Sequence, residues 1–404
     1  MIYQLVIGAL AGSAIIAPAI ASGPVERTPL AAATVAFAPP PTALANEPGA
    51  VDPLAIFTPT TDPVRTRIDF EIWDYALKRL VLNMGPSSGK GAPRPDPQVG
   101  TRLKYGPQSR YRLEGSLAMF RFFDKDVIAS FTEYRQDLER VVATHDIAAL
   151  PRNEQLAFWL NLHNVALMEQ LAKEWPVREP REITIGGVPL DEAKIIDLRG
   201  IPVSLRDIRE KIVFRHWRDP KVIYGFWRGE IGGPQLQSYA FTGANVPSLL
   251  DVAAADFVNS LRGTQKSGDT LAVSTLYAEA APFYFPNFET DLRAHLTRYA
   301  EARVSALLAE TSGVKATIDE PAIADLHGGS RPPSTLFASS QPGGSEDPLA
   351  IIGCSDELGQ AVCDLTRERT RKLQTMARRK DLAPRVFFSN IDLPGDPPNK
   401  HAVE

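Results

Sequence analysis

One stretch restricts the fold more than any other. Over residues 155–171 the apolar side chains Leu156, Phe158, Trp159, Leu160, Leu162, Val165, Leu167 and Met168 fall on every side of a helical wheel. A helix that is apolar all round must be buried all round. Pro151 suits the first turn of such a helix. Asn161, His163 and Asn164 sit in its middle, where buried polar groups need hydrogen-bond partners. The rest of the chain therefore has to wrap this element.

The flanking patterns predict what does the wrapping. Phe70, Trp73, Leu77 and Leu80 mark one face of a first helix. Val127, Phe131, Tyr134, Leu138 and Val141 mark a second, starting near Asp124. Short β-type segments with glycine turns follow over 183–189 and 194–204. Ser204 can cap a helix over 205–214. A β-type run over 221–227 leads into a glycine loop, 229–234. Further elements are a helix after Pro247, a strand over 270–273 and a helix over 288–299. Helices come first and short strands later, so the expected class is α+β, with one fully buried helix packed on a small sheet of short strands.

Composition sets the boundaries. The 34 prolines concentrate toward the two ends. Residues 22–66 read as a disordered Ala/Pro-rich linker, 67–320 as the folded domain, and 327–348 as a Gly/Pro/Ser linker. Residues 349–393 read as a C-terminal helical segment and 394–404 as a polar tail. An apolar run over 5–21, broken by Pro18 and ending in Ala19-Ile20-Ala21, predicts a signal peptide over 1–21 and export to a periplasmic or extracellular space. An uncleaved membrane anchor is the alternative, and the expected contact with membrane is limited to it. Cys354 and Cys363 are the two cysteines; in an oxidising compartment they are candidates for a local disulfide. The net charge of −4 does not suit an anionic polymer, so no nucleic-acid partner is expected. The six histidines are scattered, and neither a metal site nor a cofactor motif is visible.

Several of these segments, taken in order, resemble a known family. They are Glu154 to Asn164, Trp175-Pro176-Val177, Pro202 to Ile208, Asp219 to Gly225, Tyr239 to Gly243, Phe257-Val258-Asn259 and Gly268 to Leu271. Over residues 68–299 they resemble the domain-of-unknown-function 547 family. Many relatives carry a two-cysteine loop after the strand and a histidine just after the Asp-Ile pair. A thiol beside an imidazole implies thiolate chemistry there. Here the two loop cysteines correspond to Arg228 and Gly233, and the histidine to Glu210. The chain is thus a divergent member, without the parts for thiol chemistry at those positions.

The remaining candidates follow from residue chemistry. Arg228, Gly229, Gly232 and Gly233 are candidate ligand-binding residues: a glycine turn can aim backbone N–H groups at an anion, and Arg228 can grip a carboxylate or phosphate. The bland reading is a tight turn with Arg228 paired to Glu230. Asn161 and Asn164 share a helix face and either line a pocket or fix the core. Asp207, Glu210, His216 and Glu230 are the weak candidates for acid/base catalysis. The leading expectation is a non-catalytic exported domain that binds a small molecule or an envelope partner at 228–234. The alternatives are an envelope hydrolase or transferase using carboxylates or a histidine near that loop, and a structural envelope protein.

Overall fold

The computed structural model describes residues 52–59, 67–93, 106–331, 359–379 and 403. Its centre is α3, Arg152–Glu174, in which every residue from Asn153 to Ala172 is buried. Helix α1, Glu71–Leu80, buries Trp73 and Leu77. Helix α2, Lys125–Thr144, is capped by the Asp124 carboxylate, which accepts from the Val127 N–H. Its apolar stripe, Val127, Phe131, Leu138 and Val142, packs along α3. Between the two helices the fully buried Glu169 accepts from Arg135 Nε at 2.5 Å, Thr132 Oγ1 at 2.8 Å and Lys173 Nζ at 2.6 Å. Burial alone would raise that carboxyl, but these donors hold it below its ordinary range.

On its other side α3 meets a one-piece curl of chain and a later helix. The 221–227 run, expected as a strand, is instead a 3₁₀ helix over Pro220–Gly225. Asp219 caps it by accepting from the Lys221 N–H, and Pro220 presets its first turn. The run is buried on every side, and a short apolar run of that kind carries no period that separates strand from helix. Helix α5, Val246–Val258, packs on this curl and on α3. The helix expected after Ser204 is present but mostly wound as a π-helix, Asp207–Val213, ending in the short α4, Phe214–His216.

Among the described residues the strands are divided among four small sheets rather than one. β1, Val81–Asn83, pairs antiparallel with β2, Ser116–Ala118. Two hairpins follow: β3, Thr184–Ile185, with β4, Val188–Pro189, and β5, Ile196–Leu198, with β6, Ile201–Val203. The fourth sheet has the order β7, Thr264–Ser267, then β8, Thr270–Ser274, then β9, Gly313–Ile318. β8 and β9 are parallel, so the chain crosses over through α6, Thr275–Tyr284, α7, Phe288–Tyr299, and α8, Ala302–Glu310. The observed class is α+β.

Three boundaries differ from expectation. Within the 22–66 linker, Pro53–Phe57 is a 3₁₀ helix whose Leu54 and Phe57 are buried; the Phe57 ring lies 5.2 Å from that of Trp159. An apolar pair three residues apart is enough to hook this segment onto α3. Residues 321–331, read as the edge of the domain and the start of a linker, are packed, with Asp325 and His327 fully buried. In the tail, the Val403 N–H donates to Asn153 Oδ1 at 2.8 Å. The expected C-terminal helix is α9, Gly359–Arg378. It docks on the 83–113 region through Arg112, which grips Glu368 with two 2.8 Å bonds, and through Lys372 Nζ on the Leu113 carbonyl at 2.7 Å. The expected signal peptide over 1–21 lies outside the described residues, as does Cys354; Cys363, on α9, is not a free thiol. No helix among the described residues is long and apolar enough to cross a membrane.

Candidate functional site

Seven stretches of chain converge on one cavity of about 500 Å³. Its floor is His163 of α3 and Arg209 of the π-helix, both buried. Its walls carry Asp191 from the loop after β4, Arg228, Glu230, Gly232 and Gly233 from the glycine loop, Glu279 of α6 and Asp319 just past β9. Leu167, Leu205, Leu276 and Ile318 supply apolar surface between the charges.

The floor is built from α3 outward. Asn164 Nδ2 donates to the Gly225 carbonyl at 3.0 Å, and its Oδ1 accepts from the Trp227 N–H at 3.0 Å. The same Oδ1 lies 3.1 Å from His163 Nδ1. An acceptor there requires His163 to carry its proton on Nδ1, which leaves Nε2 to accept from Arg209 Nη1 at 3.1 Å. Burial, and then the charges of Arg209 and Arg228, keep His163 neutral, well below the usual histidine range. Arg209 grips Asp191 with two bonds of 2.7 and 2.6 Å. Arg228 bonds Glu279. Burial opposes ionisation of Asp191, but Arg209 and Arg228 outweigh it and hold the carboxyl far below its ordinary value. Glu279 is lowered likewise, burial being outweighed by Arg228 and Arg209.

The other wall is acidic. Arg181, on the 3₁₀ turn Pro180–Glu182, binds Glu230 with two 3.0 Å bonds and Asp319 with two more of 3.0 Å. Burial raises the Glu230 carboxyl above its ordinary value, and Arg181 only partly offsets it.

The structure places the expected residues in three groups. Arg228, Glu230, Gly232 and Gly233 line the cavity. Gly229 sits beneath it with φ +73°, its absent Cβ position only 2.5 Å from Leu171 Cδ1, and its carbonyl accepts from the Ala324 N–H. The anion-cradle expectation for this loop is corrected. The N–H groups of Ile231, Gly232 and Gly233 donate to the carbonyls of Ala322, Glu320 and Glu230, and so have none to spare for a ligand. Arg228 pairs with Glu279 rather than with Glu230.

Asn161 and Asn164 do not line the cavity. Asn161 exchanges two bonds with the Phe241 backbone, 2.7 and 3.1 Å, and Asn164 holds Gly225 and Trp227; both amides fasten loops to α3. Asp207 closes a capping box with Ser204, each side chain accepting from the other's N–H, and also binds Lys194 and Lys211. Glu210 lies 3.9 Å from Arg206; burial, and then Glu279, raise its carboxyl. His216 uses its carbonyl to accept from Arg152, and its ring is pushed down to about 4 by burial and by Arg215 and Arg152. Among the described residues no hydrogen bond joins Glu210 or His216 to Glu230. No group of three or more potential metal ligands occurs among them either.

Sequence reasoning missed Asp191, Arg209, Arg181, Glu279 and Asp319. Asp191, Glu279, Asp319 and Arg181 come from separate segments and carry no local signal. Arg209 does have one, a charge inside the apolar run Ile208, Ile212, Val213. A π-helix has a longer turn than 3.6 residues, so α-periodicity does not place Arg209 inward.

No curated protein and no solved structure matches the chain. Residues 147–258 match the family model described as protein of unknown function, DUF547. That segment holds α3, the π-helix, the glycine loop and α5, and so supplies His163, Asp191, Arg209, Arg228 and Glu230 to the cavity. Over the segment 147–258 this chain is similar to DUF547.

Proposed function

We propose that this is an exported protein that binds a small polar ligand in the Arg228–Gly233 cleft without thiol chemistry. One observation carries the reading. Arg228 and Gly233, which stand where relatives have loop cysteines, both line the same cavity, over the buried His163–Arg209 pair. The place is thus kept as a cleft while its reactive groups are replaced by a guanidinium and a glycine. Concave, partly apolar sites with a few convergent polar groups are where small ligands bind. Binding without catalysis is favoured over carboxylate chemistry because Glu230 is held at both oxygens by Arg181, with neither Glu210 nor His216 bonded to it. Export rests on the apolar run over 5–21.

The test is the thermal midpoint of the chain against muropeptides, amino-sugar oligomers, short peptides and acidic metabolites, with Arg228→Ala alongside. A ligand that raises the wild-type midpoint and not the variant's supports the site, because binding to the native state alone stabilises it by mass action. Absence of any shift moves the weight to a structural envelope role. N-terminal sequencing of the protein recovered outside the cytoplasm checks export, with residue 22 the expected start.

A further inference from the structure

The two walls of the cleft differ in the charge they have left to offer. On one wall, the hydrogen bond that the Arg228 side chain makes among the described residues goes to Glu279. Its Nη1 stands 3.7 Å from Asp191, beyond hydrogen-bond range, and its Nε is buried with no partner. A guanidinium has five donors, so this one retains unspent N–H groups beside the cavity. The loop N–H groups at 231–233 do not compete for a ligand's oxygen, since they are already committed to carbonyls. On the opposite wall the balance is reversed. The single guanidinium of Arg181 serves two carboxylates, Glu230 and Asp319, and Arg181 and Asp319 are 46% and 44% exposed at the mouth. That wall carries an excess of negative charge facing water.

An anion alone therefore finds donors at Arg228 but repulsion at the opposite wall, and a cation alone finds negative charge there but leaves the Arg228 donors unspent. A ligand bearing both signs meets two favourable ones. We infer, resting on the cleft reading above, that the ligand is a zwitterion of the amino-acid or short-peptide class. Its carboxylate takes the unspent donors of Arg228, and its ammonium sits against Glu230 and Asp319. Arg228 and Glu230 are separated only by Gly229, so one loop presents both poles, their Cα atoms no more than about 7 Å apart. Leu167, Leu205, Leu276 and Ile318 receive the hydrocarbon between the charges. His163 stays uncharged beneath, and the floor's one guanidinium, Arg209, is already gripped by Asp191.

Calorimetric titration of the full chain with a ladder of zwitterions tests this: glycine, β-alanine, 4-aminobutyrate, 5-aminopentanoate and glycylglycine. Butylamine and butyrate serve as the single-charge probes. At least one zwitterion is expected to bind about tenfold or more tighter than both single-charge probes. Glu230→Gln and Asp319→Asn should each weaken that zwitterion, and Arg228→Met should do so as well. Asp319 is at the exposed rim, so its variant keeps the test alive if either loop variant has a lowered unliganded midpoint. If butylamine or butyrate binds as tightly as every zwitterion, or if no zwitterion binds at about 10 mM, the inference is overturned. A neutral sugar or a dianion that binds in an Arg228-dependent way, with no zwitterion binding, overturns it while leaving the cleft reading standing.

Discussion

Replacing Asn164 with leucine should cost more stability than any surface change on the same helix, and the size of the loss can be worked from its contacts. The residue is buried within α3, and its two amide atoms hold the Gly225 carbonyl and the Trp227 N–H at 3.0 Å each. Leucine is larger than asparagine, so no cavity opens and any overpacking adds to the loss. Both backbone groups stay buried and lose their partner, and His163 Nδ1 loses its acceptor. At about 1–3 kcal/mol for each buried group left unsatisfied, the two backbone groups alone give a loss of roughly 4 kcal/mol. A domain whose total stability is on the order of 5–15 kcal/mol would lose a large fraction of it. The assay is urea unfolding followed by the fluorescence of the five tryptophans, with Glu174→Gln, exposed on the same helix, as the control. The control should stay within about 0.5 kcal/mol of wild type. An Asn164→Leu protein within about 1 kcal/mol of wild type at unchanged m-value would refute the claim that α3 fastens the 225–227 segment through this amide.

Three further outcomes are expected. Asp325 is fully buried, and burial raises its carboxyl to about 6, against 3.8 ordinarily; Trp175 Nε1 and the Gly329 N–H bond its Oδ2 while Oδ1 has no partner. Between those two values the folded protein holds a proton that the unfolded chain has released, so stability falls as pH rises from about 4 to about 6, by on the order of 3 kcal/mol. Asp325→Asn should flatten that slope in unfolding curves taken at pH 4.5 and 7; an unchanged slope assigns it elsewhere. Gly232→Ala places a Cβ 2.7 Å from the Glu320 carbonyl oxygen, where backbone must shift. It should lower the thermal midpoint and speed amide exchange across 229–234, and normal exchange there would count against the tight fit. Glu368→Gln removes the charge that Arg112 grips with two bonds, and should make α9 more quickly cut by trypsin while leaving β5 and β6 as protected from exchange as before.

Much of the helical framework was legible because each element carries its own period or cap. The stripe Val127, Phe131, Leu138 and the cap Asp124 belong to one helix and need no partner to be read. The all-apolar run around Trp159 announced a helix enclosed on every side, and α3 is that helix. Ser204 announced its cap, and the family resemblance pointed to Arg228 and Gly233. The winding of the Pro220–Gly225 segment was not legible, since burial on all sides erases the period that separates strand from helix.

The sequence by itself determined a buried helix, its wrapping elements, an α+β class and a loop without cysteine. The tertiary structure alone decided what those polar residues do. Asn161 and Asn164 look alike in sequence to ligand-binding amides, and become fasteners only because Phe241, Gly225 and Trp227 are brought to them from 61 to 80 residues away. The cleft is likewise a product of long-range approach: Arg181 meets Asp319 across 138 positions, and Arg228 meets Glu279 across 51. Periodicity is a property of neighbours along the chain, whereas a charge acquires its partner, and hence its role, only when folding closes the loops between them.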